Sequence, residues 1–153
     1  MQSFKRKKYD LRKKWNIDIN SKIVLHIGHL TDSRNIDDLI YLKKNNTDIE
    51  ILIIASSYNE NNKNKKIKEK LLRYDIMIFD YYINNINEIY QLSDYYIFMV
   101  ENENGAIGCP LSILEAYSCG LNVITKPFGL IPTFFSNDQL LYYENKKELV
   151  KYF

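Results

Sequence analysis

Residues 108–125 read GCPLSILEAYSCGLNVIT: a loop, a helix and a strand in one short unit. Gly108 lets the chain turn tightly. Pro110 suits the first helical position, where its missing N–H costs nothing. Leu111, Ile113, Leu114, Ala116 and Tyr117 cover most of the helix circumference. Gly120 stops the helix in the left-handed conformation, and an apolar strand, 121–125, follows at once. A narrow wedge of Glu115, Ser112 and Cys119 is left over. A carboxylate on a mostly buried helix that opens from a glycine loop suggests a ligand site.

The same alternation extends outward from this unit. Residues 22–28 (KIVLHIG), 49–56 (IEILIIAS), 76–79 and 95–100 (YYIFMV) are near-continuous apolar runs, and 140–143 adds a short one. Between them, 35–44, 65–74 and 83–92 carry apolar residues at helical spacing, and a terminal helix starts near Asn145. Residues 59–64 read as a polar loop. Strands apolar on both faces, alternating with helices, predict a parallel sheet covered by helices on both sides. Right-handed crossovers make this a single α/β domain of the Rossmann-like, doubly wound kind. Ligands then sit beyond the carboxyl ends of the strands, in the loops after Gly28, Ser56, Phe79, Val100 and Thr125.

Composition sets the bounds. At 153 residues the chain buries a core of ordinary size, and 46% hydrophobic residues make it globular. Cys109 and Cys119 show no metal spacing and fit a reducing compartment. No apolar run is long enough for a membrane span or a signal peptide. The net charge of +2 is uneven: residues 1–15 hold seven of the 21 basic side chains and one of the 19 acidic ones. This basic lead-in, with Phe4, Leu11 and Trp15 able to share a helical stripe, reads either as a solvated helix or as a segment docking on a partner or an anionic membrane surface. The solvated reading is favoured, because charge runs usually just solvate. Residues 16–153 form the domain proper. No basic face interleaved with aromatics marks the core, so nucleic acid is not an expected partner.

Several loop residues carry chemistry. His29 and Arg34 lie between the first strand and its helix, where a cation pair and backbone N–H groups suit a diphosphate; the competing reading is a capped helix with a solvated arginine. His26, inside the strand, reads as a satisfied core histidine. Glu101 and Glu103 follow the fourth strand and are acceptors suited to sugar hydroxyls. Glu115 sits ~7 Å along the helix from Pro110, about the span from a diphosphate to its ribose. The chain has no phosphate-binding glycine-lysine loop, no GxGxxG after the first strand, no HExxH or Cys/His cluster and no GxSxG elbow.

Three stretches, KIVLHIGHLTDSRNIDDLI, FDYYINNINEIYQLSDYYIFMV and IGCPLSILEAYSCGLNVITKPFGLIP, together resemble the C-terminal, donor-binding domain of group 1 glycosyltransferases, the retaining enzymes of the GT-B fold (family 4-like). The resemblance covers roughly residues 10–150. It implies a nucleotide-diphospho-sugar donor, transfer of a hexose with retention, and no obligatory metal or other cofactor. It places His29 and Arg34 on the family's two diphosphate-binding cations and Glu115 on its ribose-binding glutamate. Gly28, Gly108, Pro110 and Leu111 fall in its nucleotide-sugar-binding loops, and Tyr90 and Asp94 in typical aromatic and aspartate places.

The chain also departs from the pattern. Ile107 stands where a glutamate near the donor hexose is expected, with Glu103 a substitute if its loop folds back. Thr133 replaces a further glutamate, and Ala55-Ser56-Ser57 replaces a glycine. The resemblance further implies a missing N-terminal domain or a partner chain; the cysteines point to a cytoplasmic setting, and the basic lead-in, on its less favoured reading, to the membrane surface. Two other readings stand beside it. One is a degenerate, non-catalytic half serving as an interaction or regulatory subunit, favoured by Ile107 and Thr133. The other is a generic nucleotide binder.

Overall fold

The computed structural model describes residues 2–55, 61–102 and 108–153, with side chains from residue 7 onward. Its strands are β1 (Lys22–Ile27), β2 (Ile49–Ile54), β3 (Met77–Phe79), β4 (Tyr95–Phe98), β5 (Asn122–Thr125) and β6 (Leu141–Tyr142). They form one sheet in the order β3-β2-β1-β4-β5-β6, and every neighbouring pair is parallel. Both flanks of β1 are apolar because both are covered: Ile23, Val24 and Leu25 have no exposed surface. This is the doubly wound α/β domain that the alternating pattern predicts. The strand order reverses between β1 and β4, which is where such sheets open a crevice at their carboxyl ends.

The helices are α1 (Gln2–Lys14), α2 (Asp37–Asn45), α3 (Asn62–Leu72), α4 (Ile86–Leu92), α5 (Leu111–Ser118), α6 (Ile131–Phe134) and α7 (Lys146–Val150). Residues of α1, α4, α5 and α6 close one face over Ile23, Leu25, Tyr96 and Phe98. Residues of α2, α3 and α7 close the other over Val24, Ile51, Ile53 and Ile97. Among the described residues no helix is long and apolar enough to cross a membrane.

Three elements differ from the sequence expectation. Helix α3 begins at Asn62, inside the expected polar loop, because the Asn61 side chain accepts from the Lys63 and Asn64 N–H groups and caps it. Helix α6 is an extra turn set off by Pro132 near its start. Pro110 is the N-cap of α5 rather than its first residue, with an extended ψ of 131°.

The basic lead-in folds onto the domain. Leu11 joins the core, and the α1 cations meet acids of and beyond α4. Lys14 Nζ and Trp15 Nε1 donate to Glu88, and Lys8 pairs with Asp94. Arg12 is buried. Its guanidinium donates to the carbonyls of Leu92, Ile19 and Ser21 and, at 2.7 Å, to Asp94 Oδ2. Asp94 also accepts from the Ile23 N–H at the start of β1. Despite its burial, these partners hold its carboxyl below the usual carboxylate range.

Candidate functional site

The loops after β1 and β4 flank the reversal of strand order; Gly28, His29 and Arg34 lie in or beside the first, and Gly108, Pro110 and Leu111 lie where the second enters α5. After β1 the chain passes Gly28 and exposed His29, makes a 3-10 turn at Asp32–Arg34, and ends that turn with Asn35 in the left-handed conformation at φ 50°. The Asn35 side chain donates to the Met99 carbonyl, which ties the β1 loop to the exit of β4.

Arg34 folds back over Gly28. A methyl group built on Gly28 would lie 2.8 Å from Arg34 Nη1 and 3.2 Å from His26 Nε2, so the glycine leaves room for both groups. The guanidinium also lies over the Phe98 ring, 5.8 Å from its centroid. Among the described residues Arg34 is half-buried and its side chain makes no hydrogen bond or ion pair. Burial lowers its pKa from the ordinary arginine value, yet a guanidinium stays charged in proteins. A half-buried cation with its donors unspent is suited to an anion.

His26 corrects the expectation of a satisfied core histidine. It is fully buried, and Nδ1 lies 2.9 Å from the Ile97 carbonyl. A carbonyl only accepts, so Nδ1 carries the proton and Nε2 presents a lone pair. Nε2 has no partner, and an orphaned buried acceptor costs about 1–3 kcal/mol. Burial pulls the imidazole pKa down to about 4, with the nearby Arg34 charge acting in the same direction and the Ile97 carbonyl against it.

The other side of the site is α5. Its burial differs from the sequence reading: Ile113 and Ala116 are buried, whereas Leu111, Leu114, Glu115 and Tyr117 are exposed. The helix rests on β4 and β5, and among the described residues no further layer covers it, so a narrow stripe suffices to bury its inner face. Glu115 is therefore open to solvent on a broad surface. Tyr90, from α4, donates its hydroxyl to Glu115 Oε2 at 2.7 Å, and burial and that carboxylate push the phenol far above its usual pKa. Tyr96, from β4, donates to Ser112 Oγ at 2.7 Å in the first turn of α5. The Tyr96 pKa is pushed up to about 12, chiefly by burial; Arg34 acts against that rise and Glu115 with it. Tyr96 thus lies within electrostatic reach of both halves of the site.

Gly108 leads into α5 against a second glycine. The Leu130 N–H donates to the Gly108 carbonyl at 2.9 Å. Gly129, at φ +54°, lies so close that a methyl there would meet the Gly108 oxygen at 2.5 Å. At the head of α5 the N–H groups of Leu111 and Ser112 have no backbone carbonyl partner among the described residues, as expected at a helix start. Glu101 pairs with buried Lys126 at 2.9 Å, and Lys126 also stacks on Tyr143, 5.3 Å from its ring centroid. Glu103 and Ile107 lie outside the described residues. Among the described residues no three His, Cys, Asp or Glu side chains converge as a metal site. A cavity of about 410 Å³ opens beside the crevice, between the β1 loop and α3. Asn35, Asp38, Ile67 and Lys70 help line it, and neither Arg34 nor Glu115 does.

The sequence reading singled out Gly28, Arg34, Gly108 and Glu115, and it placed Tyr90 by resemblance; the bond from Tyr90 to Glu115, the Tyr96–Ser112 bond, the close approach of Gly129 and the open acceptor on His26 were not foreseen. The spacing of Tyr90 and Glu115, on different helices, carries no periodic signal.

Residues 7–153 match the sequence model of the glycosyl transferases group 1 family. No curated protein sequence matches the chain significantly. Among solved structures, a glycosyltransferase from Rickettsia africae ESF-5 superposes with a TM-score of 0.78 at 22% identity, over 96% of this chain and 40% of its own. Anabaena HepE, solved in complex with UDP-glucose, gives 0.79 at 15% identity, over 96% of this chain and 42% of its own. WaaG, a glycosyltransferase involved in lipopolysaccharide biosynthesis, gives 0.73 at 15% identity, over 95% and 40%. The chain thus spans about two fifths of the length of these proteins, and it shares the fold of one half of a GT-B glycosyltransferase. The family match over nearly the whole chain makes this protein a member of the group 1 glycosyl transferases.

Proposed function

We propose that this chain is the donor-binding half of a glycosyltransferase that takes a hexose from a nucleotide-diphospho-sugar with retention of configuration. Arg34, with His29, holds the diphosphate. The N–H groups at the head of α5 and the backbone of Gly28, Gly108, Pro110 and Leu111 close around it. Glu115 accepts from the ribose hydroxyls, held in aim by Tyr90, and Glu103 serves the sugar. No metal is required, because the guanidinium and helix N-terminus supply the positive field that a departing diphosphate needs. The acceptor and the rest of the machinery come from an N-terminal domain or partner chain. The setting is the cytoplasm, and of the described lead-in the exposed Lys7 and Lys13 are the cations left to face anionic lipid, since Lys8, Arg12 and Lys14 pair with Asp94 and Glu88.

The observation that carries this reading is Arg34: a half-buried cation at the strand-order reversal with no anion partner among the described residues. Anabaena HepE, similar in fold, binds UDP-glucose, which makes UDP the first ligand to try. Calorimetric titration with UDP and GDP tests the site. Glu115→Ala and Arg34→Ala are expected to abolish binding, and Ile107→Ala to leave it nearly unchanged. Unaltered binding by the Glu115 variant overturns the assignment.

A second reading, a non-catalytic half acting as an interaction or regulatory subunit, is favoured by Ile107 and Thr133, neither of which has a carboxylate. Thermal-shift screening separates the two. Selective stabilisation by one nucleotide sugar supports the first, and none supports the second.

A further inference from the structure

The fully buried His26 side chain reaches toward the crevice from inside β1, and the proposed binding chemistry makes no use of it. Its Nδ1–H is committed to the Ile97 carbonyl, so the ring cannot turn without losing that bond. Its Nε2 is left with a lone pair and no donor. Arg34 Nη1 and His26 Nε2 lie 2.8 and 3.2 Å from one point above Gly28, hence at most about 6 Å apart. Closing this gap to hydrogen-bond length needs a shift of at most about 3 Å at the tip of a flexible side chain. A guanidinium has five donors in a fixed plane, enough to serve an imidazole and a phosphate together.

We propose that His26 is a positioning residue for the phosphate grip: its Nε2 accepts an N–H from Arg34 when a diphosphate draws the guanidinium into place, and this bond aims the remaining donors at the ligand. The inference rests on the reading of Arg34 as the diphosphate ligand. The geometry accounts for both groups at once, since the open acceptor of His26 and the Arg34 donors, unpartnered among the described residues, share the space left by the missing side chain of Gly28. A neutral imidazole is the required form, because a protonated one would offer no lone pair and would repel Arg34. Phenylalanine would fill the same room without the acceptor. Glutamine places an amide oxygen near the position of Nε2.

The test uses the chain as it stands, with UDP and GDP as probes. On the 15N-labelled chain, long-range proton–nitrogen spectra are expected to show His26 protonated at Nδ1. Its Nε2 resonance should move upfield along the same saturation curve as nucleotide binding. By titration, His26→Phe is expected to weaken the diphosphate about tenfold while leaving the parent nucleoside unaffected, and His26→Gln to recover binding to within about threefold of wild type. Retained UDP or GDP affinity in His26→Phe, with binding lost in Arg34→Ala, overturns the role of His26 alone. Wild-type affinity in Arg34→Ala, or no binding by the wild-type chain, overturns the diphosphate reading and the inference with it. If His26→Phe fails to fold, the nitrogen spectra of the wild-type chain decide: an Nε2 resonance that stays fixed at saturation overturns the proposal.

Discussion

Arg12 and Arg34 are both shielded arginines beside the same sheet, and they are used in opposite ways. Arg12 spends its donors inside the protein, on three carbonyls and the Asp94 carboxylate. Arg34 has the Phe98 ring for company and no acceptor among the described residues. The first arginine lies at the amino ends of β1 and β4, where Asp94 also accepts from the Ile23 N–H. The second lies beyond their carboxyl ends. One end of the sheet is closed by its own hydrogen bonds, and the other keeps its binding capacity open. An arginine with its fork filled fixes a fold; an arginine with its fork empty is available to a ligand.

The comparison breaks most visibly at Arg12. Arg12→Ala takes a donor from three carbonyls and from Asp94, which keeps only Lys8 and the Ile23 N–H, and is expected to lower the unfolding free energy by about 3 kcal/mol, read by urea denaturation. Arg34→Ala should change it by less than about 1 kcal/mol while removing nucleotide binding. Equal destabilisation by the two would dissolve the distinction.

The pH dependence of stability sharpens it next. The His26 imidazole has a pKa of about 4 when folded against 6.5 unfolded. Between those values the unfolded chain binds the extra proton. The stability this group contributes above pH 6.5 is therefore lost as pH falls toward 4, by up to about 3 kcal/mol. Below that, both states are protonated and the loss stops growing. Melting curves of His26→Phe should show a shallower slope than wild type across this window.

Gly28→Ala puts a methyl against the Arg34 tip. Because that tip can yield, the expected result is near-normal stability with about fivefold weaker UDP or GDP binding, close to 1 kcal/mol, measured by calorimetry. The smallest effect belongs to Tyr90→Phe. It frees Glu115 from its 2.7 Å partner and should cost about 1 kcal/mol or less of stability, with a few-fold loss of nucleotide affinity in the same titration.

The fold was readable because its signals are local and redundant. IVL at 23–25 and ILII at 51–54 have no polar face to offer solvent, so they had to be central strands of a covered sheet. The site was readable only where a loop residue is tied to its element by sequence distance, as Gly28 and Arg34 are to β1. What stayed hidden depends on neighbours. The apolar content of α5 shows what that helix could bury, not how many layers surround it, and Leu111 and Leu114 proved exposed. Nor does a histidine within a strand announce which of its nitrogens will find a partner. The start of α3 was missed because Asn61 looks like one more polar residue in NENNKNKK until its side chain is seen capping a helix.

The meeting of Gly108 and Gly129 makes the two glycines unequal as targets for variation. Among the described residues, nothing lies nearer than 3.9 Å to a methyl added at position 108. Position 129 is barred twice, by a left-handed backbone and by the Gly108 carbonyl at 2.5 Å. A saturation library selected only for folding should therefore return alanine and serine freely at 108 and almost nothing but glycine at 129. Drift at the entrance to α5 is thus one-sided: position 108 is free to change, while the turn behind it is the fixed backstop.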